Sequence, residues 1–129
     1  MGFYGEAERR FVIGANYLAA IHLVETKFGR VVNNSVAGAQ GPMQFIPSTW
    51  EIYGHGGNIR DPHDAILAAA RLLRANGAPR RYGPALRAYN PSGLYVAAVT
   101  QYARLIDRDP YALYYLYLGA VGPAGEDAE

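Results

Sequence analysis

The sequence predicts a single, mainly helical domain. A length of 129 residues is typical of one domain with one hydrophobic core. Half of the residues are apolar and only 18% are charged, which indicates a compact fold rather than a disordered chain. Apolar residues recur at helical spacing between segments rich in glycine and proline. The chain has no cysteine, which excludes disulfide scaffolds, thiolate zinc sites and cysteine nucleophiles.

The charge balance argues against an anionic partner. Twelve basic and eleven acidic residues give a net charge of +1, so we expect no nucleic-acid binding and no attraction to an anionic membrane. No apolar run reaches the length of a membrane span. Residues 1–6 lack the basic region and apolar core of a signal peptide. We interpret the chain as an excised domain or as part of a larger assembly.

The first predicted helix covers residues 6–28. One side of it carries Phe11, Leu18, Ile21, Glu25 and Phe28 at helical spacing. Because most of the remaining surface is also apolar, we expect this helix to be central. Residues 29–46 are rich in glycine and polar residues and are predicted to be mostly loop, with room for a small β-hairpin.

The later helices are predicted from their start and stop signals. Pro47 can open a short helix over 48–53, and Asp61-Pro62 starts a helix that ends at Asn76, before Gly77. Its predicted buried stripe consists of Ile66, Ala69, Ala70 and Leu73. Further helices are predicted at 84–89, at 93–107 and from Asp109-Pro110 to Tyr117. The domain then spans 1–129, with 122–129 as a polar tail.

Glu25 is the acidic residue that the pattern singles out. It shares an apolar stripe and lies in the last turn of its helix, and both positions raise the pKa of a carboxyl group. A raised pKa is what a proton-donating glutamate needs. The alternative is a solvated glutamate paired with Lys27 or Arg30. On periodicity alone, the solvated role is the more common one.

Glycosidases commonly use two carboxylates, and no clear second one is present. Asp61, Asp64 and Asp109 are explained by helix capping. Glu51, in the short third segment, is the only other candidate. The shortage of carboxylates restricts the possible mechanisms.

Two further segments are unusual. Residues 35–49 combine glycines, which allow close approach of a ligand, with the amide of Gln44 beside apolar residues. Residues 88–91, Ala-Tyr-Asn-Pro, end a helix at Asn90. Both segments also fit ordinary connections between helices.

Taken together, these segments resemble lytic transglycosylases. The run Glu25-Thr-Lys-Phe-Gly-Arg is similar to the first motif of that family. Residues 35–48, from Ser35 through Gln44-Phe45 to Pro47-Ser48, are similar to the second motif, and 88–90 to the third. The resemblance covers about residues 10–105 and is closest to the membrane-bound B type. Pro42 departs from that type, which often has an aromatic residue there.

The resemblance implies a lysozyme-like, goose-type (SLT) helical domain that cleaves the β-1,4 bond between N-acetylmuramic acid and N-acetylglucosamine. Glu25 would protonate the glycosidic oxygen, and the acetamido group of the substrate would stabilise the positive charge. Glu25 would then accept the proton of the 6-hydroxyl, giving a 1,6-anhydro product without water or a cofactor.

Supporting roles follow from the same resemblance. Ser35 is expected near the acetamido group or Glu25, and Gln44 near the sugar or the acid. Tyr89 and Asn90 are expected to hold the glutamate and the acetamido group, and Met43 to line the site. The partner is the peptidoglycan glycan strand, and the protein is expected to be a monomer in the cell envelope or outside the cell. No metal site is expected, because the histidine spacing fits none.

Other residues have weaker interpretations. Tyr95 and Tyr102 lie on a helical stripe and are predicted to be core. The tyrosines of 111–117 either cover the core or line a groove, with core favoured. His22 lies one turn before Glu25 and either packs or tunes it.

Two rival functions remain open. A hydrolytic muramidase would share the fold and Glu25 but use water, with Glu51 as a candidate for positioning it. A non-catalytic peptidoglycan-binding module of a phage or secretion assembly would not need a buried acid.

Overall fold

The computed structural model describes residues 2–29 and 38–121 and contains seven α-helices in that part of the chain. The predicted mainly helical class is confirmed. The helices are α1 (Gly2–Phe11), α2 (Ala15–Thr26), α3 (Pro47–Tyr53), α4 (Pro62–Ala75), α5 (Tyr82–Tyr89), α6 (Gly93–Arg108) and α7 (Ala112–Val121).

The single helix predicted over 6–28 is wrong, because the chain breaks between α1 and α2. Val12 has a left-handed φ of 59°, and the amide of Gly14 donates to the hydroxyl of Tyr82 at 2.9 Å. Ile13 is fully buried at the break. The apolar pattern continues through the corner, so periodicity alone did not reveal it.

α2 is the central helix, as the sequence indicated. It packs mainly against α6, and the two run antiparallel: the side chain of Asn16 donates to the carbonyl of Ala103 at 3.0 Å, while Glu25 meets Tyr95 at the other end. α4 packs against α1 and α5. The predicted stripe of α4 is confirmed as part of the core, with Ile66, Ala69, Ala70 and Leu73 all buried.

The predicted start signals of α3 and α4 are confirmed. α3 begins at Pro47, and the side chain of Asp61 caps α4 by accepting a hydrogen bond from the amide of Asp64 at 3.1 Å. Between α2 and α3, the described residues form one β-bridge, Gln40 with Phe45, that closes a four-residue turn. The small β-hairpin that the sequence allowed within residues 29–46 is not formed in the described part of this segment, which contains a single β-bridge.

α7 differs most from its prediction. It begins at Ala112 rather than at Asp109-Pro110, and it extends past Tyr117 to Val121. Its tyrosines are not core residues, because Tyr114, Tyr115 and Tyr117 are all exposed, as is Tyr111 before it. The preference for a core role is thus wrong for these residues. None of the described helices is both long enough and apolar enough to cross a bilayer.

Candidate active site

Glu25 lies in the last turn of α2, where the helix ends in an unusual way. Three successive residues have left-handed φ angles: Lys27 at 50°, Phe28 at 61° and Gly29 at 87°. These left-handed residues end α2 at Thr26, one residue after the acid. The carboxyl group therefore sits at the negative end of the helix dipole, where a second negative charge is disfavoured.

Burial sets the pKa of Glu25. Loss of solvent around the carboxyl group raises the pKa from 4.5 to about 7, and the neighbouring Tyr95 hydroxyl opposes part of this increase. Near neutral pH, protonated and ionised forms of Glu25 are both well populated. A carboxyl group in this state can donate a proton and then accept one at similar cost.

Glu25 opens into a cavity of about 420 Å³. The cavity brings together four of the predicted site residues: Glu25, Gln44, Tyr89 and Asn90. The remaining described lining residues are Ala39, Phe45, Ile46, Thr49, Leu72, Ala88 and Pro91. Among all the described lining residues Glu25 is the only charged one, so the rest of the wall offers amides, hydroxyls and apolar surface.

Gln44 reaches the cavity from the turn between residues 40 and 45. The Gln40–Phe45 bridge closes the turn with hydrogen bonds of 2.8 and 3.0 Å. Gly41 is required there, because a Cβ atom would lie 2.0 Å from the carbonyl oxygen of Ile59. Gln44 itself has a left-handed φ of 54°. A non-glycine residue in this conformation is uncommon and often marks a functional site.

The two amide side chains are each held by one hydrogen bond. Gln44 donates from Nε2 to the carbonyl of Gly41 at 2.9 Å, and Asn90 accepts at Oδ1 from the amide of Ser92 at 3.0 Å. Both residues line the cavity. With one end of each amide engaged, the wall can present a carbonyl oxygen from Gln44 and an NH₂ group from Asn90. These groups match the donor and acceptor of an acetamido group.

Tyr89 uses its hydroxyl to hold the turn. The hydroxyl donates to the carbonyl of Met43 at 2.5 Å, and its ring packs against Phe45 with centroids 5.5 Å apart. Met43 is fully buried in the core and does not line the cavity, unlike the role expected for it. Ser35, the remaining predicted site residue, lies outside the described residues.

Tyr95 is a site residue that the sequence interpretation assigned only to the core. It is 8% exposed and stacks on Tyr89 with centroids 6.3 Å apart. Its hydroxyl is close enough to Glu25 to lower the pKa of the carboxyl group. Within the described part of the chain, however, the hydroxyl has no partner at the distance and angle of an ordinary hydrogen bond. A tyrosine on a predicted buried stripe is the signal that could have identified it, because a buried hydroxyl needs a partner. Tyr102 lies on the same predicted stripe, but it is 36% exposed and the core role predicted for it is wrong.

Two other acidic positions do not contribute to the cavity. Glu51 is exposed on α3 and is not among the described lining residues. Asp61, His63 and Asp64 are the described group close enough to share a metal ion, but they already have partners. Asp64 accepts from the amide of Asn58 at 2.9 Å, and His63 pairs with Glu6 at 2.8 Å. Among the described residues, the cavity chemistry therefore rests on one carboxyl group.

Comparison with known proteins agrees with this geometry. The sequence model of the family described as "Transglycosylase SLT domain" matches residues 3–105, which include α1 to α5 and most of α6. No curated protein sequence and no solved structure matches the chain. The match supports peptidoglycan lytic transglycosylase activity in general, and with it peptidoglycan as the substrate. Because the match extends over well more than half of the sequence, the chain belongs to the transglycosylase SLT domain family.

Proposed function

We propose that the protein cleaves the β-1,4 bond between N-acetylmuramic acid and N-acetylglucosamine without consuming water, and that Glu25 acts first as acid and then as base. The observation that carries this proposal is the lone carboxyl group of the described cavity wall, whose pKa is raised to about 7. A single group with that pKa suits a reaction that returns the proton to its donor.

In the first step, Glu25 donates its proton to the glycosidic oxygen, and the bond between that oxygen and C1 of the muramic acid breaks. The carbonyl oxygen of the substrate's own 2-acetamido group bonds to C1 and carries the positive charge into an oxazolinium ring. This internal nucleophile replaces the second carboxylate that many glycosidases use. Asn90 and Gln44 are the described amides that would orient the acetamido group.

In the second step, the 6-hydroxyl oxygen attacks C1, the oxazolinium ring opens, and the hydroxyl proton passes to Glu25. The products are a free 4-hydroxyl on N-acetylglucosamine and a 1,6-anhydro-muramic acid end, and the enzyme regains its protonated acid. No water is consumed. Ser35 and Tyr89 would support the substrate and the loop around it, and Met43 would pack beneath the turn.

Three finer assignments belong to the same proposal. Phe28-Gly29-Arg30 and Gln44-Phe45-Ile46-Pro47-Ser48 favour the membrane-bound B type over other branches of the family. We also propose one catalytic domain over 1–129, with a polar tail at 122–129. The protein would act as a monomer on glycan strands of the cell envelope, without binding nucleic acid.

The experiment that tests the proposal is mass spectrometry of the fragments released from purified peptidoglycan. Anhydro-muramyl ends are the expected product. Reducing ends would show that water attacks C1 and would replace the proposal with a hydrolytic muramidase. If folded protein pelleted with the peptidoglycan but released nothing, the chain would be a binding module instead.

A further inference from the structure

The turn that carries Gln44 is held by an unusual set of hydrogen bonds. Three successive backbone carbonyls each accept from a side chain: Gly41 from Gln44 Nε2 at 2.9 Å, Pro42 from Thr26 Oγ1 at 2.6 Å, and Met43 from Tyr89 at 2.5 Å. We call these residues the clamped turn, 41–44. Two of these three hydrogen bonds connect the turn to distant helices, α2 through Thr26 and α5 through Tyr89.

Thr26 is the connection to α2. Its side chain is 1% exposed, and its hydroxyl proton goes to the carbonyl of Pro42 at 2.6 Å. The same oxygen accepts from the amide of Gly29 at 2.9 Å. One hydroxyl therefore satisfies both the left-handed end of α2 and the clamped turn, and without it neither partner would keep a hydrogen bond within the described part of the chain.

The two distant connections come from the sequence neighbours of two proposed site residues, the acid Glu25 and the amide Asn90. Thr26 directly follows Glu25, and Tyr89 directly precedes Asn90. Each of them points into the turn, while Glu25 and Asn90 line the cavity. The position of the acid relative to Gln44 is thus set through a buried hydrogen bond one residue away from the acid.

We propose that Thr26 is a positioning residue, whose hydroxyl holds Glu25 in register with the clamped turn during proton transfer. The inference rests on the proposed function of Glu25. Because Thr26 is buried and is not among the described cavity-lining residues, loss of its hydroxyl should reduce kcat and leave KM nearly unchanged. Displacement of a catalytic group by about 1 Å can cost on the order of 10²-fold in rate.

The test compares Thr26→Val, which keeps the shape and removes the hydroxyl, with Thr26→Ser, which keeps the hydroxyl. We expect Thr26→Val to lower kcat on peptidoglycan by about 10- to 100-fold with KM within about twofold. Thr26→Ser is expected to stay within about threefold of the original kcat. Since positioning does not alter the surroundings of the carboxyl, the pH at which kcat falls should be the same in all three proteins.

Ile66→Val is the matched control for stability, because Ile66 is 2% exposed in α4 and does not line the cavity. It should lower the melting temperature without removing any hydrogen bond of the clamped turn, and its kcat should be unchanged. If Thr26→Val fails to fold, Thr26→Ala takes its place, since it removes the hydroxyl without placing a methyl group against the carbonyl of Pro42. An original kcat in the folded hydroxyl-free variant, or an equal loss in Ile66→Val or Thr26→Ser, would overturn the inference.

The outcome is separable from that of the proposed function. If the original protein releases reducing ends, the anhydro mechanism is wrong, but a loss of kcat in Thr26→Val still supports the positioning role, because a hydrolase would need the same acid. If anhydro ends form and Thr26→Val keeps its kcat, only the role of Thr26 is wrong.

Discussion

Two titratable side chains lie one turn apart on α2, and burial acts on them in opposite directions. Glu25 has its pKa raised to about 7, whereas His22, at 6% exposure, has its pKa lowered to about 4. Loss of solvent disfavours the charged form in both cases. At neutral pH the imidazole is therefore neutral and cannot donate as a cation, while the carboxyl group still exchanges its proton.

The two cavities that these groups border also differ in size and in the chemistry of their walls. His22 borders a larger cavity of about 720 Å³, and its Nδ1 lies 2.7 Å from the hydroxyl of Tyr4. The other described lining residues are Phe28, Ile106, Asp109, Pro110, Leu113, Tyr114 and Tyr117. The smaller cavity combines a carboxyl group of suitable pKa with two amides. Neither volume nor burial alone identifies the reactive site.

The largest expected effect is on turnover. Glu25→Gln removes the only carboxyl group of the described cavity wall and should lower the rate of glycan cleavage by at least about 10³-fold. Fragment release from purified peptidoglycan measures it, with circular dichroism to verify folding. Glu51→Gln is the control and should keep the original rate, because Glu51 is exposed outside that wall. A slow Glu51 variant would favour the hydrolytic mechanism.

The second prediction concerns stability against pH. The contribution of Glu25 is fully present below pH 4.5 and is lost as the pH rises to about 7, because its folded pKa is raised. The contribution of His22 is fully present above pH 6.5 and is lost as the pH falls to about 4, because its folded pKa is lowered. Each amounts to about 3 kcal/mol at most, and the two oppose each other between pH 4.5 and 6.5.

Single variants should separate the two pH dependences of the free energy of unfolding, which is measured by urea denaturation. In Glu25→Gln the free energy of unfolding should rise as the pH increases from 4 to 6.5, because the contribution of His22 remains. In His22→Asn the free energy of unfolding should fall as the pH increases from 4.5 to 7, because the contribution of Glu25 remains. The original protein should show a flatter profile than either variant. If the free energies of unfolding of Glu25→Gln and of the original protein change with pH in parallel, the carboxyl group of Glu25 is solvated in the folded state. Burial would then not act in opposite directions on Glu25 and His22.

A smaller effect is expected from Tyr95→Phe. Because the Tyr95 hydroxyl lowers the pKa of Glu25, its removal should raise that pKa and move the alkaline fall of kcat to higher pH. Tyr102→Phe, on the same helix, serves as the control and should not move it, because Tyr95 is the tyrosine whose hydroxyl acts on the pKa of Glu25. A shift to lower pH in Tyr95→Phe would mean that the hydroxyl instead favours the protonated acid.

The smallest effect is expected at the His22 cavity. Tyr114 is 67% exposed at its edge, so Tyr114→Ala should change kcat/KM by no more than about twofold and stability by no more than about 1 kcal/mol. Kinetics on peptidoglycan and thermal unfolding test both. A tenfold loss of kcat/KM would show that the larger cavity takes part in binding the glycan. The functional site would then not be confined to the smaller cavity.

The sequence alone determined the helical class and the starts of α3 and α4, and it singled out Glu25 as the candidate acid. These features depend on local rules: proline and aspartate at a helix start act within a few residues, and one polar residue in an apolar stripe is visible in any helix. The motifs also brought Gln44, Tyr89 and Asn90 to the same candidate site, and the cavity unites them with Glu25.

Only the tertiary structure decided where the chain turns and what each side chain meets. The break at Val12 depends on Ile13 being buried and on the distant Tyr82. Tyr114, Tyr115, Tyr117 and Leu118 of α7 are exposed, although the sequence of this helix is apolar enough for a core. The bond from Thr26 to Pro42 joins residues 16 positions apart, and Tyr95 meets Glu25 across 70 positions. Such contacts arise from helix packing, and their partners cannot be read from local sequence patterns.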